Sequence, residues 1–323
     1  MDIARIEAAA ERLAGHARRT PLLSSPFLDE IAGRRVLVKA ECLQHTGSFK
    51  FRGALSAISA LDPDRRKQGV IAFSSGNHAQ GIAAAARMHG IPAVIVMPSD
   101  APAAKIAGTK GLGGEVVPYD RATENRDDIG ARLAEDRGLT LIRPYDEPEV
   151  IAGQGTSGLE IAVQAGTRGV TEAEVLVCCG GGGLTSGIAL ALEARAPGMT
   201  VRPVEPEGFD DVARSLASGG IERNAVTSGG LCDAILTPAP GEITFPIMSR
   251  LCGPGLVVSE EECLRAMGLA FARLRIVVEP GGAAALAAAL FHGDEIAGDA
   301  VIAVATGGNV DRATFERALA TLP

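Results

Sequence analysis

Residues 175–184 read VLVCCGGGGL, a continuous apolar run that passes directly into four glycines. An apolar run without polar alternation is typical of a strand buried on both faces of a parallel sheet. Four successive glycines at a strand-to-helix turn allow several backbone N–H groups to converge on an anion. Their register matches neither a dinucleotide-binding nor a nucleoside-triphosphate motif. The stretch therefore predicts a parallel α/β fold with a phosphate cup, and a purely structural tight turn is the alternative.

The same strand–helix rhythm extends in both directions from this turn. Apolar runs predict strands at residues 36–39, 70–73, 93–97, 115–117, 140–142, 175–179, 201–205 and 301–305. Helical periodicity predicts helices at 2–18, 52–61, 79–89, 102–110, 124–137 and 157–165, after the glycine run, and at the carboxyl end. Such alternation indicates parallel sheets covered by helices. We predict an α/β protein of two domains, each an open, mostly parallel twisted sheet flanked by helices. The larger domain comprises residues 1–68 and 146–323, and the smaller one residues 69–145.

Composition excludes several classes of function. The 323 residues are 46% hydrophobic and 22% charged, with a net charge of −8, as in an ordinary soluble globular protein. This charge argues against nucleic acid as a partner, and no apolar run reaches the length of a membrane span. The six cysteines show no C-x-x-C spacing, so we expect reduced thiols in a cytoplasmic protein.

A second stretch, TGSFKFRGA at residues 46–54, places Lys50 between two phenylalanines. A partly apolar wall formed by Phe49 and Phe51 would lower the pKa of the lysine and make its amine a usable nucleophile. The alternative is a solvated lysine at the start of a helix.

Two further polar turns follow predicted strands. Residues 74–78 (Ser74, Ser75, Gly76, Asn77 and His78) precede a helix and offer donors that suit a substrate carboxylate, or they form a simple helix cap. Thr306 ends the last strand. Because ligands collect at the carboxyl ends of parallel strands, we expect these turns, the lysine turn and the glycine run to lie around one cleft.

Along nearly the whole chain, the order of these motifs resembles the threonine dehydratase and serine racemase branch of the pyridoxal phosphate (PLP) enzymes, which have the tryptophan-synthase-β-like fold type II. The matching pieces are Gly47–Ala54, Ser74–Gly81, Ile151–Thr156, Gly180–Gly183, Val204–Pro206, Glu279–Gly282 and Thr306–Val310. The resemblance implies PLP as cofactor, a mobile smaller domain and a homodimer.

The resemblance also implies a role for each matching position. Lys50 would bind PLP covalently and then move the substrate α-proton. Phe49 would pack on the cofactor ring, Asn77 would bond its hydroxyl group, and Glu279 would lie near the cofactor. The glycine turn would hold the phosphate through Gly180, Gly181, Gly182, Gly183 and Leu184.

Two positions bear on the reaction type. Thr306 falls where the family places a Ser or Cys against the pyridine nitrogen, and a neutral hydroxyl there favours β-elimination. Ser75 matches the serine that acts on the second face of Cα in serine racemases, so racemisation stays open. The wording Glu279-Pro-Gly-Gly resembles the dehydratases instead.

The stretch EPEGFDD at residues 205–211 resembles the divalent-cation loop of the racemase-like members. By that match the ligands would be Glu205, the Phe209 carbonyl and Asp211. Such oxygen donors suit Mg²⁺ (or Ca²⁺ or Mn²⁺) completed by waters. The alternative is a solvated acidic turn.

Two basic residues bear on the size of the substrate. If His45 and Arg126 face the cleft, they would bind an additional substrate carboxylate, since Arg binds carboxylates with two hydrogen bonds. We therefore predict a dehydratase (ammonia-lyase) that converts 3-hydroxyaspartate to oxaloacetate, through iminosuccinate, and ammonia. The alternatives are an L-threonine or L-serine dehydratase giving 2-oxobutyrate or pyruvate, and a serine or aspartate racemase with side elimination. A catalytically silent amino-acid-binding subunit is a further alternative, against which Lys50 argues.

Overall fold

The computed structural model of the chain describes residues 1–101, 103–120, 122–226 and 228–323, with the side chains of Ala104 and Asp127 left aside. The strands are β1 Leu22–Ser24, β2 Arg35–Ala40, β3 Val70–Phe73, β4 Ala93–Pro98, β5 Glu115–Tyr119, β6 Thr140–Leu141, β7 Ala173–Cys178, β8 Met199–Pro206, β9 Leu256–Val258 and β10 Ala300–Ala305. The α-helices are α1 Ile3–Leu13, α2 Pro26–Ala32, α3 Lys50–Ala60, α4 Pro63–Gln68, α5 Asn77–His89, α6 Ala103–Gly111, α7 Arg126–Arg137, α8 Pro148–Gly166, α9 Gly183–Arg195, α10 Asp211–Ser218, α11 Thr244–Leu251, α12 Glu260–Leu269, α13 Pro280–Phe291 and α14 Arg312–Leu319. None of these helices is long and apolar enough to cross a membrane.

The strands form two sheets. In the described residues, the larger sheet has the order β1-β2-β10-β7-β8-β9 and the smaller one the order β5-β4-β3-β6. All neighbouring strands are parallel except β1 and β2. The predicted α/β fold with two domains built on parallel sheets is therefore confirmed. The smaller sheet lies inside the predicted smaller domain, whose boundaries at residues 69–145 and whose mobility stay proposals.

Helix α3 connects the two sheets. Its apolar residues, including Phe51, Leu55 and Ile58, share a hydrophobic core with β3, β4 and α5. Its buried Arg52 faces the other way and binds Glu41, which directly follows β2 of the larger sheet. Because Lys50 is the first residue of α3, the lysine lies where the two sheets meet.

Helix α8 is the largest departure from the predicted secondary structure. It begins at Pro148 rather than at residue 157, and it passes through several glycines. A side chain at Gly153 would overlap the Arg52 carbonyl of α3, and one at Gly155 would come within 2.8 Å of the Gly187 carbonyl of α9. The glycines thus permit close helix packing that offsets their low helix propensity.

The first helix is shorter than predicted. It ends at Leu13 rather than at residue 18, because Gly15 adopts a left-handed conformation with φ of 76°. Several elements had no sequence assignment, namely β1, α2, α4, α10, α11, β9, α12 and α13.

Candidate active site

The loop before Lys50 is fixed by the turn that follows β10. Phe49 N–H donates to the Thr306 carbonyl at 3.1 Å, and Gly308 N–H donates to the Gly47 carbonyl at 2.9 Å. Gly47 has φ of 73°, and a Cβ atom there would lie 2.6 Å from Asn309 Oδ1. A glycine is therefore needed at this turn, which holds the start of α3 against the end of β10.

The Lys50 amine lies in a concave, partly apolar wall. Its Nζ donates to the Pro144 carbonyl at 2.8 Å and lies 5.1 Å from the centre of the Phe49 ring. Burial lowers the pKa of Lys50 to about 8. The second predicted wall residue, Phe51, lies instead in the core of the smaller sheet. The amine can therefore lose its proton near neutral pH, as a nucleophile or base requires.

Lys50 lines a cavity of about 290 Å³ between the two sheets, together with the turn from Ser74 to His78, Arg126, Glu279 and Asn309. The Ser74–His78 turn leads into the amino end of α5, where backbone N–H groups favour an anion. The structure therefore brings the lysine, the predicted carboxylate turn and one of the two predicted cations to one cavity.

His78, which also lines this cavity, positions the start of α5. Its Nε2 lies 3.0 Å from the Ile142 carbonyl, an arrangement in which Nε2 carries the proton. Burial and the nearby charge of Lys50 lower the pKa of His78 to about 3. The ring is therefore neutral at physiological pH, and its hydrogen bond fixes the start of α5 against the residue that follows β6.

A smaller cavity of about 40 Å³ lies along the glycine turn and shares Lys50 with the larger one. A Cβ atom at Gly181 would overlap the Tyr145 ring, one at Gly182 would meet Met248, and one at Gly183 would lie 2.9 Å from Gln154 Oε1. Thr244 Oγ1 donates to the Gly181 carbonyl at 2.6 Å. At positions 181–183 the turn is thus packed so tightly that a side chain would force its neighbours to move.

Buried polar atoms surround this smaller cavity without partners. Both amide atoms of Gln154 and the hydroxyl of Thr237 are buried and make no hydrogen bond within the described residues, although both side chains line the cavity. Buried polar groups normally have partners. The glycine cradle, these donors and the nearby Lys50 therefore fit the phosphate and aldehyde ends of PLP.

A hydrogen-bonded chain links three site residues. Asn309 Nδ2 donates to Asn77 Oδ1 at 2.7 Å, and Asn77 Nδ2 donates to Glu279 Oε1 at 2.6 Å. Burial, opposed by the Asn77 hydrogen bond, raises the pKa of Glu279 to about 7. Near neutral pH this carboxyl group is therefore divided between its protonated and ionised forms.

Two of the predicted cofactor- and substrate-binding residues, Thr306 and His45, do not line either cavity. Thr306 is buried and lies beside the thiol of Cys178, a residue that lines the smaller cavity. His45 belongs to the short helical turn His45–Gly47, and its ring contacts the edge of Phe51 with centroids 4.9 Å apart. Burial and the charge of Arg18 lower the pKa of His45. The structure does not bring His45 into the cleft with Arg126.

The predicted cation loop contains two buried carboxylates at the end of β8. The Glu205 oxygens accept hydrogen bonds from Val212 N–H at 3.0 Å and Ala213 N–H at 2.7 Å, while Asp211 Oδ2 has no partner within the described residues. Burial raises the pKa of Glu205 well above its usual value and that of Asp211 to about 6, and the charge of Asp211 adds to the rise at Glu205.

These two carboxylates fit a cation, which would offset the cost of burying their charges together. In the described part of the chain, no cluster of three or more His, Cys, Asp or Glu side chains could hold a metal. A site here would therefore need the Phe209 carbonyl and waters to complete two carboxylate ligands.

Sequence reasoning gave no role to several residues that line the cavities, namely Tyr145, Gln154, Thr237, Lys105 and Asp233. Gln154 lies within the matching piece Ile151–Thr156, but the sequence did not show that its side chain is buried on α8 beside the glycine turn. Tyr145 and Thr237 lie in segments that carry no recognisable motif. Lys105 and Asp233 are 128 positions apart in the chain, so the sequence did not indicate that they meet.

Known proteins are similar to this chain over nearly its whole length. The family model described as pyridoxal-phosphate dependent enzyme matches residues 13–307. An L-threo-3-hydroxyaspartate ammonia-lyase from a Pseudomonas species is 48% identical over 303 residues, covering 94% of this chain and 93% of that protein. A serine racemase from Schizosaccharomyces pombe is 42% identical over 306 residues, covering 95% and 93%. The crystal structure of a threonine deaminase from T.th. superposes with a TM-score of 0.91 at 46% identity, covering 96% of this chain and 99% of that one.

Proposed function

Because this chain belongs to the family of pyridoxal-phosphate dependent enzymes, we propose that it eliminates water from 3-hydroxyaspartate and releases oxaloacetate and ammonia. The observation that carries the proposal is Arg126, which lines the same cavity as Lys50 and the Ser74–His78 turn. The turn binds the α-carboxylate at the amino end of α5, and Arg126 binds the second carboxylate. The 48% identical hydroxyaspartate ammonia-lyase supports this choice of substrate.

When bound, PLP supplies an electron sink for the electron pair left on Cα. Lys50 would hold the cofactor and then take the α-proton; burial lowers the pKa of its free amine to about 8, which suits a base near neutral pH. Loss of this proton and of the β-hydroxyl group as water leaves an enamine. The enamine tautomerises to iminosuccinate, and water then converts iminosuccinate to oxaloacetate and ammonia.

We propose that residues in and beside the two cavities would make the cofactor contacts. The turn Gly180–Leu184 would hold the phosphate with its backbone N–H groups, and Phe49, which lines the same cavity, would pack on the ring. Asn77, held between Asn309 and Glu279, would donate to the ring hydroxyl. Thr306, buried beside the cavity residue Cys178, would offer the pyridine nitrogen a neutral hydroxyl that does not keep it protonated, which would favour elimination.

Racemisation is a second candidate, carried by one observation. Ser75 lines the cavity with Lys50 and serves as the acid–base group on the second face of Cα. The 42% identical serine racemase supports it. Dehydration of L-threonine or L-serine is the alternative for a site that accepts only one carboxylate.

We further propose a divalent cation, Mg²⁺ or else Ca²⁺ or Mn²⁺, bound by Glu205, the Phe209 carbonyl and Asp211. The buried Asp211 Oδ2, which has no hydrogen-bond partner among the described residues, supports this site. A homodimer in the cytoplasm stays a prediction from the sequence.

Arg126→Ala tests the carboxylate role, with Arg132→Ala on the exposed face of the same helix as the matched control. Arg126→Ala should raise KM for 3-hydroxyaspartate about 10- to 100-fold, while L-serine turnover and the Arg132→Ala variant change little. Intact hydroxyaspartate turnover in Arg126→Ala would show that the carboxylate role is wrong.

A further inference from the structure

An ion pair crosses the candidate active-site cavity. Lys105 Nζ donates to Asp233 Oδ2 at 2.7 Å, and both side chains line the cavity that contains Lys50. Lys105 belongs to α6, which packs beside the smaller sheet. Asp233 begins the helical turn Asp233–Ile235, which packs against α13 beside the larger sheet. The pair therefore joins the two walls of the cleft.

The two partners differ in their access to water. The Lys105 side chain is 31% exposed and the Asp233 side chain 60% exposed. Releasing the Asp233 carboxylate to water therefore costs little, because more than half of it is already hydrated. Removing the Lys105 ammonium from every carboxylate costs more, because less water reaches it.

Both charges act inside the cavity as well as on each other. At the buried Glu279, the charge of Asp233 raises the pKa and that of Lys105 lowers it. The Asn77–Glu279 hydrogen bond ties this carboxyl group to the predicted substrate turn. The Lys105–Asp233 pair is thus close enough to the reaction site to act on a bound substrate.

We propose that Lys105 is a specificity-determining residue that exchanges Asp233 for the second carboxylate of a dicarboxylic substrate. In the absence of such a substrate, the Asp233 carboxylate forms the ion pair with the Lys105 ammonium and so competes with the substrate carboxylate for it. A dicarboxylate replaces one ion pair by another, and the released Asp233 returns to water. A substrate with one carboxylate has no second carboxylate to offer Lys105, so the Lys105–Asp233 ion pair stays intact. This inference rests on the proposed function and names the second residue, beside Arg126, that binds the distal carboxylate.

A structural link between the two walls would behave differently. Breaking such a link would alter the binding of every ligand by a similar factor. Exchange predicts opposite effects for the two partners: removal of Lys105 weakens dicarboxylate binding, and removal of the Asp233 charge strengthens it.

The test uses the PLP-loaded enzyme and two probes of equal chain length, succinate and butyrate, titrated by calorimetry. Lys105→Met should raise the Kd of succinate about 10- to 100-fold, and Asp233→Asn should lower it several-fold. Butyrate should change less than about twofold in both. Lys110→Met, at an exposed site on the same helix, is the matched control and should change neither probe.

Equal shifts for succinate and butyrate, or weaker succinate binding in Asp233→Asn, would overturn the exchange. Asp233→Asn keeps the test decisive if Lys105→Met does not fold. Ammonia release separates this inference from the proposed function. Lys105-dependent succinate binding without hydroxyaspartate turnover would leave the exchange standing and remove the proposed function. If the enzyme turns over hydroxyaspartate but its succinate binding does not depend on Lys105, the proposed function stands and the exchange is wrong.

Discussion

The Asn77 side-chain amide donates a 2.6 Å hydrogen bond to Glu279 Oε1, which joins the amino end of α5 to the amino end of α13. These residues are 202 positions apart in the chain and come from the two walls of the cleft. The bond therefore links the predicted substrate turn to the larger sheet through a carboxyl group that titrates near neutral pH.

The titration of Glu279 predicts a pH dependence of stability in the cofactor-free protein. Its pKa rises from 4.5 to about 7 on folding, so between these values the native state binds more protons than the unfolded state. The contribution of Glu279 is then fully present below about pH 4.5 and is lost as the pH rises through about 7. Glu279→Gln keeps an acceptor for Asn77 but cannot ionise. In this variant the free energy of unfolding should therefore fall by up to about 3 kcal/mol less than in the wild type as the pH rises. Urea unfolding of both proteins at pH 5 and pH 8 measures it, and parallel pH profiles would contradict it.

The packing of the glycine turn predicts a specific loss of cofactor binding. A methyl group at Gly181 would overlap the Tyr145 ring, so Gly181→Ala must displace the turn or the ring. The Kd for PLP, from titration of the cofactor absorbance, should rise at least about tenfold. Gly166→Ala, which meets no atom within 4 Å at the end of α8, is the control and should bind PLP as the wild type does. Unchanged PLP binding in both variants would remove the phosphate role of this turn.

The buried ion pair between Arg52 and Glu41 predicts a large effect on stability. Arg52 Nε and Nη2 donate to the two Glu41 oxygens at 2.8 and 2.9 Å, and both side chains are almost fully buried. Arg52→Met leaves the Glu41 charge without this partner, which should cost about 3–5 kcal/mol in the free energy of unfolding. Arg65→Met, at an exposed site on α4, should stay within about 0.5 kcal/mol of the wild type. A similar small change in both variants would mean that Lys39 or water compensates for Arg52.

The carboxylate pair at the end of β8 predicts stabilisation by a divalent cation. Mg²⁺ at 100 times its Kd should stabilise the wild type by about 2.7 kcal/mol and raise its Tm, whereas EDTA reverses the effect. Asp211→Asn removes the carboxylate whose Oδ2 has no partner in the described part of the chain, and it should abolish the Mg²⁺ response. Asp294→Asn, at an exposed acidic turn far along the chain, should keep it. An equal Mg²⁺ response in the wild type and Asp211→Asn would exclude this site.

The local pattern of the sequence predicted the features that depend on neighbouring residues. Apolar runs such as Val70–Phe73 and Val301–Ala305 lie in strands, and the glycine turn after β7 leads into α9 as expected. These elements are set by burial on both faces of a parallel sheet and by turn conformation, both of which can be read from short segments.

Features that depend on contacts between distant segments could not be read in this way. The sequence predicted a helix only from residue 157, whereas α8 begins at Pro148 and its glycines serve contacts with α3 and α9. His45 was expected in the cleft, yet its ring packs against Phe51, because the turn before α3 points it toward the core of the smaller sheet. Lys105 and Asp233 are 128 positions apart, and only the relative placement of the two sheets makes them partners.

The most direct measurement is the ratio of kcat/KM for 3-hydroxyaspartate stereoisomers to that for L-threonine and L-serine, with PLP and Mg²⁺ present. A cleft that binds two carboxylates predicts a ratio of about 100 or more for one hydroxyaspartate isomer, with oxaloacetate and ammonia released in equal amounts. A higher kcat/KM for L-threonine or L-serine would contradict the account and return Arg126 to a role outside substrate binding.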